Sequence, residues 1–506
     1  MSFNLATMLR ESATATPDKA LLHVGDLSIS YQQVDEISGR IASSLLALDL
    51  EPGDKVAVQL PNLPQFVFAY FAILKAGLVM VPLNPLLRLP EVDYHLRDSH
   101  ARVLIAFAPM GEEAAKAAEA VGGVRTYAVT LPGSDERPEG THHFDELYLG
   151  DDTHDIVPLS SEDTAVLLYT SGTTGRPKGA ELTHFQLFMA ATTGGNLFGY
   201  QPDDVALAVL PLFHVFGLSA VLSTAVRFGG TIVLVPRFEM EPVLDALERH
   251  RCTIFLGVPT MYFALLQADT SDRDLTALRV GISGGAAIPG EVIRAFEEKF
   301  PGVVVLEGYG LSETSAIATF NESAEQRRVL SIGRPMWGIE VRIVDEADAE
   351  LPRGEDHIGE IVIRGHNVMK GYYGKPEATA EAMKGGWFHT GDLGYRDDDG
   401  FFFIVDRKKD MVIRGGFNVY PREIEEVLFT HPAVAEAAVV GKPDERLGEE
   451  VVAVISLKPG TEATAEEVIA FTKERLAAYK YPREVRIIDE LPKGPTGKIL
   501  KTELRD

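Results

Sequence analysis

Between Tyr169 and Gly179 the chain reads Tyr-Thr-Ser-Gly-Thr-Thr-Gly-Arg-Pro-Lys-Gly, with four Ser/Thr hydroxyls, three glycines and a lysine in eleven positions. Glycines let backbone N–H groups come close to an anion, and mobile donors complete the cradle. Here Thr170, Ser171, Gly172, Thr173, Thr174, Gly175 and Lys178 supply both, so the segment has the chemistry of a polyphosphate cradle. No Gly-Lys-Ser/Thr ends it, so it is not a Walker loop and that mechanism does not carry over. A flexible Ser/Thr/Gly linker is the competing reading. The apolar run Ala165–Tyr169 directly before it, and the Arg-Pro-Lys-Gly ending, favour the cradle.

The elements that must position this loop follow from hydrophobic pattern. Short apolar runs at Val56–Leu60, Leu78–Val81 and Val103–Phe107 alternate with helical patterns at Gln65–Lys75 and Pro90–Asp98. Further runs lie at Ala165–Tyr169, Val205–Leu210, Thr231–Val235, Thr253–Gly257, Arg279–Ser283 and Val303–Glu307. Strand–helix repetition of this kind predicts a parallel α/β architecture with binding loops at strand ends. After Gly333 the texture changes to close strands, Val341–Val344, Glu360–Arg364 and Phe401–Val405, parted by Asp/Gly turns, which predicts a small barrel or meander. Beyond Asp406–Asp410 comes a compact α+β pattern. It holds a helix Arg422–Phe429, strands Val434–Val440 and Val451–Leu457, a helix Ala465–Tyr479 and a strand Val485–Ile488. The expected division is 1–408 for a large domain and 409–506 for a small mobile one.

Composition narrows the class of function. A chain of 506 residues is long for one hydrophobic core, so two or more domains are expected. A formal net charge of −26 speaks against general nucleic-acid binding, which needs a basic surface. Cys252 is the only cysteine, so neither an internal disulfide nor a cysteine-based metal site is expected. The first twenty residues lack the apolar core of a secretory signal, and Val67–Leu83 is broken by Lys75 and too short to span a bilayer. A cytoplasmic protein without a transmembrane segment is expected.

Further motifs stand in a fixed order: Tyr309-Gly310-Leu311-Ser312-Glu313-Thr314, Thr390-Gly391-Asp392, Asp406-Arg407-Lys408-Lys409-Asp410 and Pro492-Lys493-Gly494-Pro495-Thr496-Gly497-Lys498. With the phosphate loop, and from about Met8 to the end, the chain resembles the adenylate-forming superfamily. That superfamily holds acyl-CoA synthetases, aryl-CoA ligases, peptide-synthetase adenylation domains and luciferases. The resemblance implies ATP, Mg²⁺ and coenzyme A as cofactors or co-substrates and a small carboxylic acid as the substrate. A homodimer is left open.

The resemblance also assigns roles. Gly284, Gly285, Ala286, Glu307, Gly308 and Tyr309 would hold the adenine, with Tyr309 stacked on it. Asp392 would accept hydrogen bonds from the ribose diol, with Arg407 beside it. Ser312 stands where threonine is more frequent in the family and keeps the hydroxyl near the phosphates. Glu313 is the expected Mg²⁺ carboxylate, since Mg²⁺ takes few protein oxygens and several from phosphate and water. Lys498 is the expected catalytic cation, placed to stabilise charge as a carboxylate meets the α-phosphate. By the same resemblance Lys409 is the hinge, and rotation there withdraws Lys498 and presents Gly415-Gly416 to a pantetheine channel. Arg237 would contact coenzyme A phosphates, and His214 would gate the carboxylate end of the acyl pocket.

Val215, Phe216, Val258, Met261 and Leu311 are the remaining acyl-pocket candidates, and their apolar character implies an acid with a hydrophobic body. The expected activity is that of an acyl-CoA ligase for a medium- or long-chain fatty acid. Aryl-acid ligation and loading of a carrier protein are the alternatives. The absence of an extra segment between Trp337-Gly338-Ile339-Glu340-Val341 and Gly359-Glu360-Ile361 favours coenzyme A over a carrier. Neither luciferase-like oxygenation nor binding without catalysis draws support from these residues, because Lys178, Glu313, Asp392, Arg407 and Lys498 are all present.

Overall fold

The computed structural model describes residues 2–151, 155–170, 176–415, 417–444 and 446–505. Two large sheets follow from the alternating pattern. One contains the parallel strands Val205–Ala208, Thr231–Leu234, Ile254–Gly257, Val280–Ser283 and Val304–Tyr309, with antiparallel strands at its edges. The other contains the parallel strands Lys55–Gln59, Val79–Pro82, Ala101–Phe107 and Arg125–Val129, joined through Thr164–Thr170 to the antiparallel strand Lys178–Thr183. The helix Pro64–Lys75 is buried on every side except at Gln65, as expected of a helix apolar all round. At its C-terminal end Lys75 is fully buried, and its ammonium meets the Asp35 carboxylate at 2.7 Å.

The ends of the first sheet are tied differently. At the entry side, Asp204, Thr253 and Arg279 precede three successive strands. The Asp204 carboxylate accepts from Thr253 Oγ1 at 2.7 Å, from Arg279 Nε at 2.9 Å and from the Gln201 N–H at 2.8 Å. Burial alone would raise the Asp204 pKa, but the Arg279 and Thr253 hydrogen bonds outweigh it and hold the carboxyl below its ordinary range. At the exit side, the strands open into Ser283-Gly284-Gly285 and Glu307-Gly308-Tyr309, where side chains are small or point to one cleft.

The region expected as a barrel or meander folds as four antiparallel strands, Ile339–Val344, Gly359–Gly365, Phe388–Arg396 and Phe402–Arg407, paired in that order. From Val412 on the chain builds a separate sheet on the long pair Val434–Asp444 and Gly448–Leu457, with its own apolar cluster around Val412, Ile424, Val439 and Ile455. The expected helix to Tyr479 is shorter, Ala465–Lys473. Past it the chain turns, Tyr479 stacks on Phe417 and Lys480 pairs with Glu423 at 2.7 Å. These long-range contacts outweigh local helical propensity. Among the described residues, no helix is long and apolar enough to cross a membrane.

Candidate active site

The strand Thr164–Thr170 delivers Thr170 to one wall of the cleft, and the next strand begins at Lys178. Ser171, Gly172, Thr173, Thr174 and Gly175 lie outside the described residues, as does Gly416. The flanks of the loop are well anchored. Tyr169 Oη donates to Asp98 at 2.9 Å, Tyr94 Oη donates to the Pro177 carbonyl at 2.7 Å, and Lys375 pairs with Asp98 at 2.6 Å.

Glu313 sits in a short 3₁₀ turn, Ser312–Thr314, and is buried. Its Oε1 accepts from Thr170 Oγ1 at 3.2 Å and from Tyr372 Oη at 2.9 Å. The Lys178 ammonium lies 5.2 Å above the Tyr372 ring. Thr170, Lys178 and Glu313 thus converge, through a tyrosine that no motif marked. Among the described residues there is no cluster of three or more metal-ligating side chains. Glu313, with its second oxygen free of these bonds, suits Mg²⁺ held mainly by phosphate and water rather than by a protein cage.

Tyr309 is buried at the end of its strand, and its hydroxyl donates to Asp392 Oδ2 at 2.6 Å. Arg407 Nε meets Asp392 Oδ1 at 3.1 Å. Burial pushes the Asp392 pKa up, against the pull of Arg407 and the Tyr309 hydroxyl. Beside this pair, Ser283 and Glu307 stand in register on adjacent parallel strands. Ser283 Oγ and Glu307 Oε2 are buried without a hydrogen-bond partner among the described residues. Burial raises the Glu307 carboxyl to about 7 despite Arg422 nearby. Two unpaired polar atoms side by side are costly unless a ligand meets them, and a base with both donor and acceptor edges fits them. Gly285 and Ala286 are exposed at the same rim.

Lys498 reaches this cleft from the small C-terminal unit. A Cβ added at Gly285 would lie 2.9 Å from Lys498 Cε. Burial, then the Arg407 charge, lower the Lys498 pKa to about 8, while Asp392 opposes the shift. His214 faces the same ammonium. Burial and that charge drive its pKa to about 3, so it is neutral at working pH. Its Nδ1 accepts from the Phe216 N–H at 3.2 Å, which puts the ring proton on Nε2.

The Phe216 ring lies 3.2 Å from where a Gly284 Cβ would be, and the Gly308 carbonyl lies 3.4 Å from the same point. Phe216 also opens a π-helix, Phe216–Ser223, a rare wide turn that frequently marks functional sites. Val258 and Met261 border the Lys498 loop at Gly497. Val215 is 2 % exposed, as buried as Val258, and both pack in the main core. Leu311 is half-buried between Tyr309 and Ser312.

Three candidates lie apart from this cluster. Arg237 is 81 % exposed and paired with Glu239. Gly415 occupies the turn between the short strands Val412–Arg414 and Phe417–Val419, with φ +57°. Lys409 is exposed in the turn after Arg407, where its carbonyl accepts from Arg505 at 3.4 Å.

Lys498, from the C-terminal unit, thus meets Asp392, Arg407 and His214 at one cleft. Comparison with known proteins makes the class specific. Residues 9–373 match the family model "AMP-binding enzyme" and residues 423–498 match "AMP-binding enzyme C-terminal domain". The chain is 37 % identical to a long-chain-fatty-acid–CoA ligase of Bacillus subtilis (strain 168), covering 99 % of this chain and 94 % of that one. It is 38 % identical to a feruloyl-CoA synthase of an Amycolatopsis species, covering 97 % and 96 %. A benzoate CoA ligase structure from Burkholderia xenovorans LB400 superposes with a TM-score of 0.90 at 30 % identity over the full length of both chains. The protein belongs to the AMP-binding enzyme family, and it is an ATP-dependent, AMP-forming acid–CoA ligase.

Proposed function

We propose that the acid is a hydrophobic one, a medium- or long-chain fatty acid, and that the residues gathered around Lys498 carry out its adenylation. The observation that carries this is the meeting of Lys498, neutral His214 and the Asp392–Arg407 pair at one cleft with apolar Phe216, Val258 and Met261 beside them. In the first step a carboxylate oxygen attacks the α-phosphorus of ATP and pyrophosphate leaves, giving acyl-AMP. The Lys498 ammonium sits between the two anions and stabilises the charge building on phosphorus. His214 donates its Nε2 proton as a hydrogen bond to the carboxylate and fixes its direction. Asp392 accepts from the ribose diol, and Ser283 and Glu307 meet the base edge. Lys178 and the loop 171–175 hold the β- and γ-phosphates.

Glu313 would hold Mg²⁺, which supplies charge neutralisation on the phosphates when bound. In the second step the thiol sulfur of coenzyme A attacks the acyl carbon, AMP leaves and the thiol proton is lost. Lys498 has no part in this step, and a boundary at 408/409 with a hinge at Lys409 would let the small unit withdraw it. Gly415, Gly416 and Arg237 are the proposed contacts to coenzyme A. Arg237 is exposed and Gly415 sits in a turn, positions open to a ligand that arrives from outside the cleft. A second reading, an aryl acid, is favoured by one observation: Gly284 faces the flat Phe216 ring without a side chain, which suits a planar body.

The test is an acid panel with ATP and Mg²⁺, reading pyrophosphate release first and thioester formation after adding coenzyme A. The fatty-acid reading expects kcat/KM to rise from short to medium or long chains. A maximum on cinnamate- or benzoate-type acids would replace it with the aryl reading. Turnover of the adenylate by a carrier phosphopantetheine but not by coenzyme A would sink the proposed contacts to coenzyme A.

A further inference from the structure

Thr260 stands in the first turn of the helix Pro259–Gln267, on the large unit. Its hydroxyl donates to the Gly497 carbonyl at 3.0 Å, at the residue directly before Lys498. The approach is close. Gly497 has φ +78°, and a Cβ there would lie 2.8 Å from Val258 Cγ2 and 3.2 Å from Thr260 Oγ1. This left-handed, side-chain-free position lets the two backbones meet.

The lysine loop is closed on itself. Gly494 N donates to Lys498 O at 2.8 Å, Gly497 N to Gly494 O at 2.9 Å and Leu500 N to Pro492 O at 2.9 Å. A loop bonded in this way moves as one piece, so a tie at Gly497 sets where the Lys498 side chain projects. The tie matters because electrostatics at the tip are divided. Asp392 attracts the ammonium, whereas Arg407 repels it and burial disfavours its charge. A neutral hydroxyl that does not titrate at working pH is suited to hold the loop against that balance.

We propose that Thr260 is a positioning residue for adenylation, acting through Lys498 and without a part in thioester formation. This rests on the reading of Lys498 above. One net hydrogen bond is worth about a three- to tenfold change in rate. The test uses the full chain with Thr260→Val, which keeps the shape and removes the hydroxyl, and Thr260→Ser, which restores it. Single-turnover adenylation is measured at saturating ATP and acid. Thioester formation is measured separately from synthetic acyl-adenylate and coenzyme A.

Thr260→Val is expected to slow adenylation by about three- to tenfold with both KM values within about twofold of the parent. The thioester step should be unchanged, and Thr260→Ser should recover the rate. In a Lys498→Ala background the valine substitution should add nothing, since there is no ammonium left to place. Full-rate adenylation by Thr260→Val, equal slowing of both steps, or the same further loss in the Lys498→Ala background would each overturn the inference. Full-rate adenylation by Lys498→Ala alone would overturn the role of Lys498, and with it any action of Thr260 through that residue. An inactive Lys498→Ala beside a full-rate Thr260→Val overturns the Thr260 inference alone.

Discussion

The lowered pKa of Lys498 makes adenylation sensitive to alkali in a way that can be worked out. In the proposed role the ammonium, not the amine, would stabilise the reacting phosphate, and burial lowers its pKa to about 8 in the free enzyme. The groups that set it are Arg407, Asp392 and the buried surroundings, with neutral His214 facing the same tip. Because kcat/KM reports ionisations of free enzyme, kcat/KM for ATP in the adenylation step should fall above that point. The active fraction drops by about fivefold from one half at about pH 8 to pH 9, and by about tenfold for each further unit. Bound ATP, being anionic, raises the ammonium pKa, so kcat at saturation should hold to higher pH than kcat/KM.

The assay is pyrophosphate release at subsaturating ATP across that range, with thioester formation from synthetic adenylate run in parallel. The second step should rise with pH instead, because thiolate is the better nucleophile. Lys498→Arg should lower the rate but remove the alkaline limb, since a guanidinium stays protonated. It should leave the titration of Glu307, near 7, on the acid side. A flat alkaline profile in the parent, or the same limb in Lys498→Arg, would refute the assignment of that limb to Lys498.

Three further outcomes are expected. Gly285→Ala puts a Cβ 2.9 Å from Lys498 Cε at a position with φ +80°; it should cut adenylation by about tenfold or more and stability by only about 1–2 kcal/mol. Single-turnover rates beside a thermal melt check it. Tyr309→Phe removes the 2.6 Å hydrogen bond to Asp392, moves that carboxyl further toward its neutral form and should raise the KM for ATP by about tenfold. Arg279→Ala leaves the buried Asp204 carboxylate without its cation. With Arg279 itself partly exposed, the cost should be about 2–4 kcal/mol, read as a lower Tm with the ATP KM little changed.

Much of the fold was written in burial. Parallel strands covered on both faces need continuous apolar runs, and Val56–Leu60 or Thr253–Gly257 are such runs. The strand Phe388–Arg396 was not visible as one, because it is mostly half-buried and its centre is Thr390-Gly391-Asp392. The residues that carry charge or hydroxyls were legible by type and spacing. Their second partners were not. The Tyr309–Asp392 bond spans 83 positions and the Thr260–Gly497 bond 237, and no local pattern encodes either. Tyr309 illustrates the difference: its aromatic ring suggested stacking, while its hydroxyl donates to the Asp392 carboxylate. Ser283 and Glu307 gain their meaning only from cross-strand register, which sequence does not print.

The delivery of Lys498 from a separate unit bears on direction as well as rate. A group that lowers the barrier to joining carboxylate and phosphate lowers the barrier to their separation by pyrophosphate equally. A lysine fixed permanently in the cleft would therefore keep acyl-AMP in exchange with ATP for as long as pyrophosphate remained nearby. On a unit that leaves, as proposed, the same lysine would act as a ratchet. It would make the adenylate, and its departure would close the return path before the thiol arrives. A single neutral hydrogen bond of 3.0 Å at Gly497 suits such a unit, since a stronger tie would favour the first step and delay the one that keeps the product.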